Sequence, residues 1–371
     1  MKTVLVTGAS GFIGKNLCAT LEQREDVQIL RYDLGNTKEE LADYLIRADF
    51  VFHLAGINRP RHVEEFDLGN RGFTEEILAY LEENGKKTPV AMTSSIHAVL
   101  DNPYGISKKA AEDTVFKWSR RTGIPAYVYR LPGVFGKWCR PNYNSVVATF
   151  CHNIAQGLPI QINNPATEIT LVYIDDVVSE LVAAMDGIVH SGNDGYCYVP
   201  RTFKVTLQQL ADTIYSFAKS RNNLVMPNFE SVFERYLYAT YISYLPEDGF
   251  GYKLEMKHDN RGWLAEFIKS RQFGQIFISR TKPGIMRGNH WHQTKVEKFL
   301  VIEGEALIRF RKINSDKIID YRVSGNLLRV IDIPPGYTHS ITNIGDTDLI
   351  TLFWADEIFN PEKADTYFLE V

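Results

Sequence analysis

The sequence predicts two domains of different class: an α/β domain built on a parallel sheet, followed by an all-β sandwich or small barrel. Three observations carry this. The chain has 371 residues, too many for one ordinary core. From Met1 to about Asp186, short apolar runs alternate with amphipathic helical segments, the order of a parallel sheet with helices on both faces. After Pro246-Glu-Asp-Gly-Phe-Gly251, a stretch of breakers and turn formers, the texture changes to short strands with little helix.

In order along the chain, Val4-Leu5-Val6, Val27-Gln-Ile-Leu30, Phe50-Val-Phe52, Val90-Ala-Met92 and Tyr127-Val-Tyr129 read as strands. Helical stretches such as Gly14 to Gln23 and Thr74 to Glu83 lie between them. Asn193 to Leu245 is mixed and mostly helical, and reads as the lobe completing the first domain. The expected domains are therefore residues 1–245 and 252–371. In the second, turns such as Ser324-Gly-Asn326 and Asn343-Ile-Gly-Asp346 punctuate the strands. There is no internal repeat.

A formal net charge of -4 gives no general basis for binding nucleic acid or an anionic membrane. Cys18, Cys139, Cys151 and Cys197 have no paired spacing, and no signal peptide is evident, so reduced thiols and a cytoplasmic location are expected. The first apolar run ends in glycines and is too short to span a membrane.

Gly8-Ala-Ser10-Gly11-Phe12-Ile13-Gly14 directly follows the first strand and opens a helix. Its glycines permit a tight turn and close backbone approach, so a pyrophosphate can rest on the helix N-terminus. The competing reading is a plain strand-helix turn. Tyr104-Gly-Ile-Ser-Lys108 places a phenol and an ammonium one helical turn apart. The lysine is expected to lower the phenol's pKa and to hold a nicotinamide ribose, while the tyrosine passes a proton to a carbonyl being reduced. Ser94 and Ser95, ending the preceding strand, offer a hydroxyl to polarise that carbonyl.

The second domain carries a different chemistry. His290 and His292 project from one face of a strand, and Glu297 follows five residues later on the next turn or strand. His339 comes in Pro334-Pro-Gly-Tyr-Thr-His339, closed by Asn343. Three imidazoles and a carboxylate suit a borderline divalent ion such as zinc. The competing reading is a set of satisfied core histidines.

Gly8 to Gly14, His53-Leu54-Ala55-Gly56, Asn70, the serine pair, Tyr104 with Lys108, and Arg130-Leu131-Pro132-Gly-Val-Phe-Gly136 together resemble the extended short-chain dehydrogenase/reductase family. The resemblance covers residues 1–245. It implies a Rossmann-type domain, sugar-nucleotide substrates, and cofactor contacts along the Gly8, Leu54 and Leu131 segments. Register with that family favours Ser95 as the catalytic hydroxyl, with Ser94 the alternative. Arg31 stands where NAD-using relatives carry an acid for the ribose 2′-hydroxyl, and would pair with a 2′-phosphate, so NADPH is expected. A solvated arginine at a strand end is the alternative. Asp33 is placed to contact the adenine. Arg140, Asn142 and Asn144 lie on the loop where the family receives the nucleotide diphosphate; an ordinary polar loop is the competing reading. Asp175-Asp176 read as helix caps.

Gly284, His290, His292, Glu297 and Gly304, with Pro334 to Asn343, resemble the cupin family, a double-stranded β-helix barrel with a metal in its mouth. Leu328 departs from the pattern where a glycine usually begins the second motif. Asp259-Asn-Arg261-Gly-Trp-Leu-Ala-Glu266 and Ile285-Met-Arg287-Gly-Asn-His290 also resemble the metal-free cupin epimerases, in which the histidine matching His290 is a base. Here His292 and Glu297 favour His290 as a ligand, leaving Lys253, Asp259 and Glu266 as candidate bases. The whole chain, in length and domain order, resembles bifunctional enzymes of capsular polysaccharide synthesis. That resemblance implies a homodimer acting on UDP-2-acetamido-2,6-dideoxy-4-hexulose, a UDP-linked 4-keto deoxy amino sugar. The barrel would invert C3 and the reductase would then reduce C4, giving a UDP-N-acetyl-L-talosamine-type product. Two alternatives stand beside it: a plain reductase with a structural or dimerising barrel, and a nucleotide-binding domain whose barrel does all the chemistry.

Overall fold

A computed structural model describes every residue of the chain except Asn314. Two compact units emerge, one of Met1–Ile214 with Tyr236–Leu245, the other of Tyr215–Arg235 with Pro246–Val371.

The first unit is organised by a five-stranded parallel sheet: β1 (Lys2–Thr7), β2 (Val27–Tyr32), β3 (Phe50–His53), β4 (Val90–Ser95) and β5 (Ala126–Leu131). All five expected strands are present. Side chains alternate across it. Leu5, Leu30, Val51, Val90, Met92 and Val128 pack against helices Lys38–Arg47, Phe73–Glu83 and Pro103–Thr122. Val4, Val6, Phe50 and Phe52 point the other way and are equally buried. Helices Phe12–Leu21 and Ile174–Met185 pack on each other. The strand order is β2-β1-β3-β4-β5, so the chain's direction of travel reverses between β1 and β3. The carboxyl ends of strands at such a reversal are where parallel sheets bind ligands. A small sheet of β6 (Gly133–Phe135), β7 (Glu168–Tyr173) and β8 (Phe203–Thr206) completes the unit.

The helix that carries Tyr104 and Lys108 is strongly defined at both ends. Asn102 caps it by accepting from the Gly105 backbone N–H at 2.8 Å, Pro103 occupies the first turn, and Gly123 closes it at φ 74°. Asp175 and Asp176 are not the caps that the sequence suggests. They occupy the first turn of helix Ile174–Met185, whose N-cap is Tyr173, and bond Lys137 at 2.6 Å and Arg201 at 3.3 Å. Both carboxylates still favour the positive end of the helix.

The second unit is all antiparallel. One sheet runs β16 (Val330–Ile333), β13 (Glu297–Glu303), β18 (Leu349–Ala355), β11 (Gly274–Thr281), β10 (Gly262–Ser270) and β9 (Met256–Asp259). The other runs β15 (Ile318–Ser324), β14 (Glu305–Lys312), β17 (Tyr337–Asn343), β12 (Met286–Trp291) and β19 (Tyr367–Phe368). Phe299 and Phe353 from the first sheet share a core with Ile308, Phe310 and Ile341 from the second. The sequence assigns all of 193–245 to the first domain, whereas residues 215–235 group with this unit. The cause is backbone pairing: Met226 N–H donates to Lys269 at 2.7 Å and Lys269 N–H donates to Leu224 at 2.8 Å. Among the described residues, no helix is long and apolar enough to cross a membrane.

Candidate functional site

Each unit carries its own group of chemically competent side chains. In the first, the glycine-rich turn lies at the end of β1, facing the segment that follows β3. Gly8 has φ 69°, and a Cβ there would meet Ala55 N at 2.8 Å; a Cβ on Gly14 would meet Gly8 O at 2.1 Å. Only glycine lets turn, helix and the Leu54-Ala55-Gly56 loop come this close. A cleft of about 710 Å³ beside the turn is lined by Ser10, Lys15, Glu22, Arg31, Asp33 and Asn36. Asp33 accepts from the Ser10 backbone N–H at 2.5 Å, so one of its oxygens is committed to shaping the turn. Arg31 pairs with Glu22, both side chains being about half exposed. Exposed pairs of this kind are weak, so the guanidinium remains available to a phosphate. The residues therefore fit a dinucleotide.

The two serines at the end of β4 have different environments. Ser94 is buried and donates to Glu112 Oε1 at 2.6 Å. Glu112 is itself inaccessible and accepts from Arg130 Nε at 2.9 Å, Arg130 Nη2 at 2.6 Å and the Tyr196 hydroxyl at 2.8 Å. Ser95 is half-buried, accepts from the His97 backbone N–H at 3.1 Å and lies beside the Tyr104 phenol. Burial raises the Tyr104 pKa, and the Ser95 hydroxyl opposes that rise. This corrects the expectation that Lys108 lowers it. Lys108 Nζ donates instead to the Thr93 carbonyl at 3.1 Å, and burial brings its own pKa down to about 8, with Glu112 opposing. Asn70 fixes the loop after β3, accepting from the Ile57 N–H at 2.9 Å and donating to Ser107 Oγ at 2.9 Å. Leu131 ends β5 beside Ser95, and Pro132 follows it.

Arg140, Asn142 and Asn144 lie on an exposed loop before helix Val146–Ala155. Asn144 accepts from Arg59 Nε at 2.8 Å, and both Arg59 and Arg140 lie over the Tyr143 ring. Arg59 and Glu112 were not read from the sequence. For Glu112 the signal exists, since it follows Lys108 by one helical turn; for Arg59 there is none.

In the second unit, ligand atoms of His290, His292, Glu297 and His339 all lie within 4.8 Å of one another. A bulge between Gly288 and His290 puts Asn289 at φ 58° and re-aims His290 at the others. Glu297 begins β13, the next strand along the chain, which belongs to the other sheet. Its Oε2 is 3.3 Å from His292 Nε2 and 3.6 Å from His339 Nε2. Both Nε2 atoms are buried and have no hydrogen-bond partner. His292 Nδ1 meets the Asp365 carbonyl at 2.5 Å, which requires a proton on Nδ1 and leaves Nε2 with a bare lone pair. Ligands about 2.1 Å from a tetrahedral ion lie roughly 3.4 Å apart, so this donor set fits a zinc-like cation. His290 is half-buried, and burial together with His339 lowers its pKa to about 4.

Lys253, Asp259 and Glu266 lie outside the cluster. Lys253 is exposed, Asp259 is exposed and paired with Arg261, and Glu266 is paired with Lys269 at 3.0 Å. Asn343 is structural: its amide donates to the Thr281 and Thr347 carbonyls at 2.9 and 2.8 Å.

Residues 4–195 match the NAD dependent epimerase/dehydratase family, and residues 257–367 the polysaccharide biosynthesis C-terminal domain. The chain belongs to the NAD dependent epimerase/dehydratase family. It is 44% identical to a UDP-2-acetamido-2,6-beta-L-arabino-hexul-4-ose reductase of Pseudomonas aeruginosa, over 99% of this chain and 98% of that one. It is 49% identical to the capsular polysaccharide assembling protein CapF from Staphylococcus aureus, with TM-score 0.93 over 99% of this chain and all of that one. A UDP-N-acetylglucosamine 4-epimerase from Bacillus cereus, 19% identical with TM-score 0.54, shares the fold over 66% of this chain and 99% of that one.

Proposed function

We propose that this chain is a bifunctional sugar-nucleotide enzyme acting on UDP-2-acetamido-2,6-dideoxy-4-hexulose, inverting C3 and then reducing C4. The single observation that carries the reading is the Ser95–Tyr104 contact with Lys108 one helical turn along, at the carboxyl end of a parallel sheet. Full-length similarity to a 4-keto sugar-nucleotide reductase supports the substrate class.

Bound NADPH would supply the hydride for C4. Tyr104 then gives its phenolic proton to O4 as the carbonyl carbon is reduced, and a protonated phenol is what burial favours at neutral pH. Ser95 lies beside the phenol and would offer its hydroxyl to the same oxygen. Lys108, charged below about pH 8, holds the ribose hydroxyls. Arg31 would hold the 2′-phosphate, Ser10 to Gly14 the pyrophosphate, and Asp33, Leu54, Ala55, Gly56, Leu131 and Pro132 line the rest of the cofactor's path. Arg140, Asn142 and Asn144 would receive the substrate diphosphate and uracil.

In the barrel, His290, His292, Glu297 and His339 would hold one divalent ion, zinc by its donor set. Such an ion supplies positive charge to an electron-rich substrate oxygen. The C4 ketone acidifies C3–H, so a base can take that proton to give an enolate that is reprotonated on the other face. The reductase is assigned to residues 1–245, the epimerase to 252–371, and the working unit to a homodimer.

The test is Tyr104→Phe. It should abolish NADPH oxidation with the 4-keto substrate while leaving proton exchange at C3 intact. Wild-type reduction by this variant would contradict the assignment.

A further inference from the structure

The segment after β18 returns to the barrel and grips the loop between His292 and Glu297. The Asp365 carboxylate accepts three successive backbone N–H groups, Gln293 at 2.9 Å, Thr294 at 2.8 Å and Lys295 at 2.9 Å, together with the Thr294 hydroxyl at 3.0 Å. The backbone carbonyl of the same residue accepts the His292 Nδ1 proton at 2.5 Å. Thr366 Oγ1 lies 3.2 Å from Lys295 Nζ, and that ammonium lies 3.1 Å from Glu297 Oε1. Beyond it, β19 pairs with the strand of His290, Leu369 N–H donates to Asn289 at 2.9 Å, and Thr338 beside His339 bonds the Leu369 carbonyl.

We infer that Asp365 is a positioning residue for the four-ligand centre, and that residues 365–369 form a C-terminal strap that presets His292, Glu297 and His290 for a divalent cation. The inference rests on reading the cluster as a metal site. It follows from what each bond specifies. The carbonyl selects the His292 tautomer whose Nε2 faces inward. The carboxylate fixes the turn joining one ligand strand to the next, and thereby the position of its own carbonyl against the ring. The Thr366–Lys295 contact sets the face that Glu297 presents. Without the strap, binding would have to order the loop and select the tautomer, which lowers affinity. Partners that orient ligands in this way are typically worth about 10- to 100-fold in metal affinity.

The test measures zinc dissociation constants by chelator competition for the full-length wild type, Asp365→Ala and Asp365→Asn. Chelator-treated samples are followed in parallel by thermal unfolding and by the imidazole nitrogen shifts of His292. One zinc per wild-type chain is expected, with affinity weakened about 10- to 100-fold in Asp365→Ala. Asp365→Asn keeps the shape and one acceptor and should fall between, which also covers a failure of the alanine variant to fold. His292 should change from a single Nδ1–H tautomer to a mixture. Variants that melt earlier yet bind zinc within twofold of wild type would show a merely structural strap and overturn the inference alone. A wild type that binds no zinc would overturn it together with the metal reading.

Discussion

Ser94 and Ser95 are adjacent and chemically identical, yet the structure predicts opposite consequences for removing them. The Ser94 hydroxyl is buried on the Glu112 carboxylate at 2.6 Å. A hydrogen bond to a charged group contributes about 1.5–3 kcal/mol. After Ser94→Ala, Glu112 keeps both Arg130 bonds and the Tyr196 bond, so its charge remains solvated by the protein. The loss should therefore sit at the lower end, about 1.5–2 kcal/mol, or a Tm drop of roughly 3–8 °C for a unit of this size. kcat for reduction should change little. Ser95 is half-buried and touches the proton donor, so Ser95→Ala should cost about 100- to 1000-fold in kcat, as loss of one donor to a developing oxyanion does, with little change in Tm. The assays are chemical denaturation and single-turnover NADPH oxidation with the 4-keto sugar. A Ser94→Ala enzyme that is fully stable and inactive, beside an active Ser95→Ala enzyme, would refute the reasoning.

Two further outcomes follow from the cofactor side. Arg31→Ala should weaken NADPH by about tenfold, near 1.5 kcal/mol because the side chain is half exposed, and leave NADH nearly unchanged; equal losses, measured by fluorescence titration, would free Arg31 of the 2′-phosphate. Because the Lys108 pKa is lowered to about 8, its ammonium is present below that pH and lost above it. NADPH affinity should fall as pH rises through about 8, and the Lys108→Met enzyme should show a flat profile there; a falling profile in the variant would assign the titration elsewhere.

The five strands of the parallel sheet are legible in the sequence because each is a short apolar run between helical segments, a pattern set by burial on both faces. The metal-type cluster is legible because alternation in a strand puts His290 and His292 on one face, whatever the rest of the barrel does. What is missed depends on distant pairing. Asp365 lies 73 positions from His292 and belongs to no periodic element, so nothing local marks it as a partner. The grouping of residues 215–235 with the second unit rests on backbone bonds to Lys269, which carry no side-chain signature. The direction of the Tyr104 shift depends on burial winning over a neighbouring charge, and helical spacing reports only the neighbour. The choice between Ser94 and Ser95 needs the sheet's alternation together with the position of Glu112 on a helix packed against it.

That one chain performs two steps on one ketone is tested by incubating the purified protein with the 4-keto sugar in deuterated water, with and without NADPH. Deuterium should appear at C3 in the absence of NADPH, and a C3-inverted, C4-reduced product with stoichiometric NADPH loss when the cofactor is added. Reduction of the ketone with no deuterium ever entering C3 would leave the barrel as a structural module and the protein as a simple reductase.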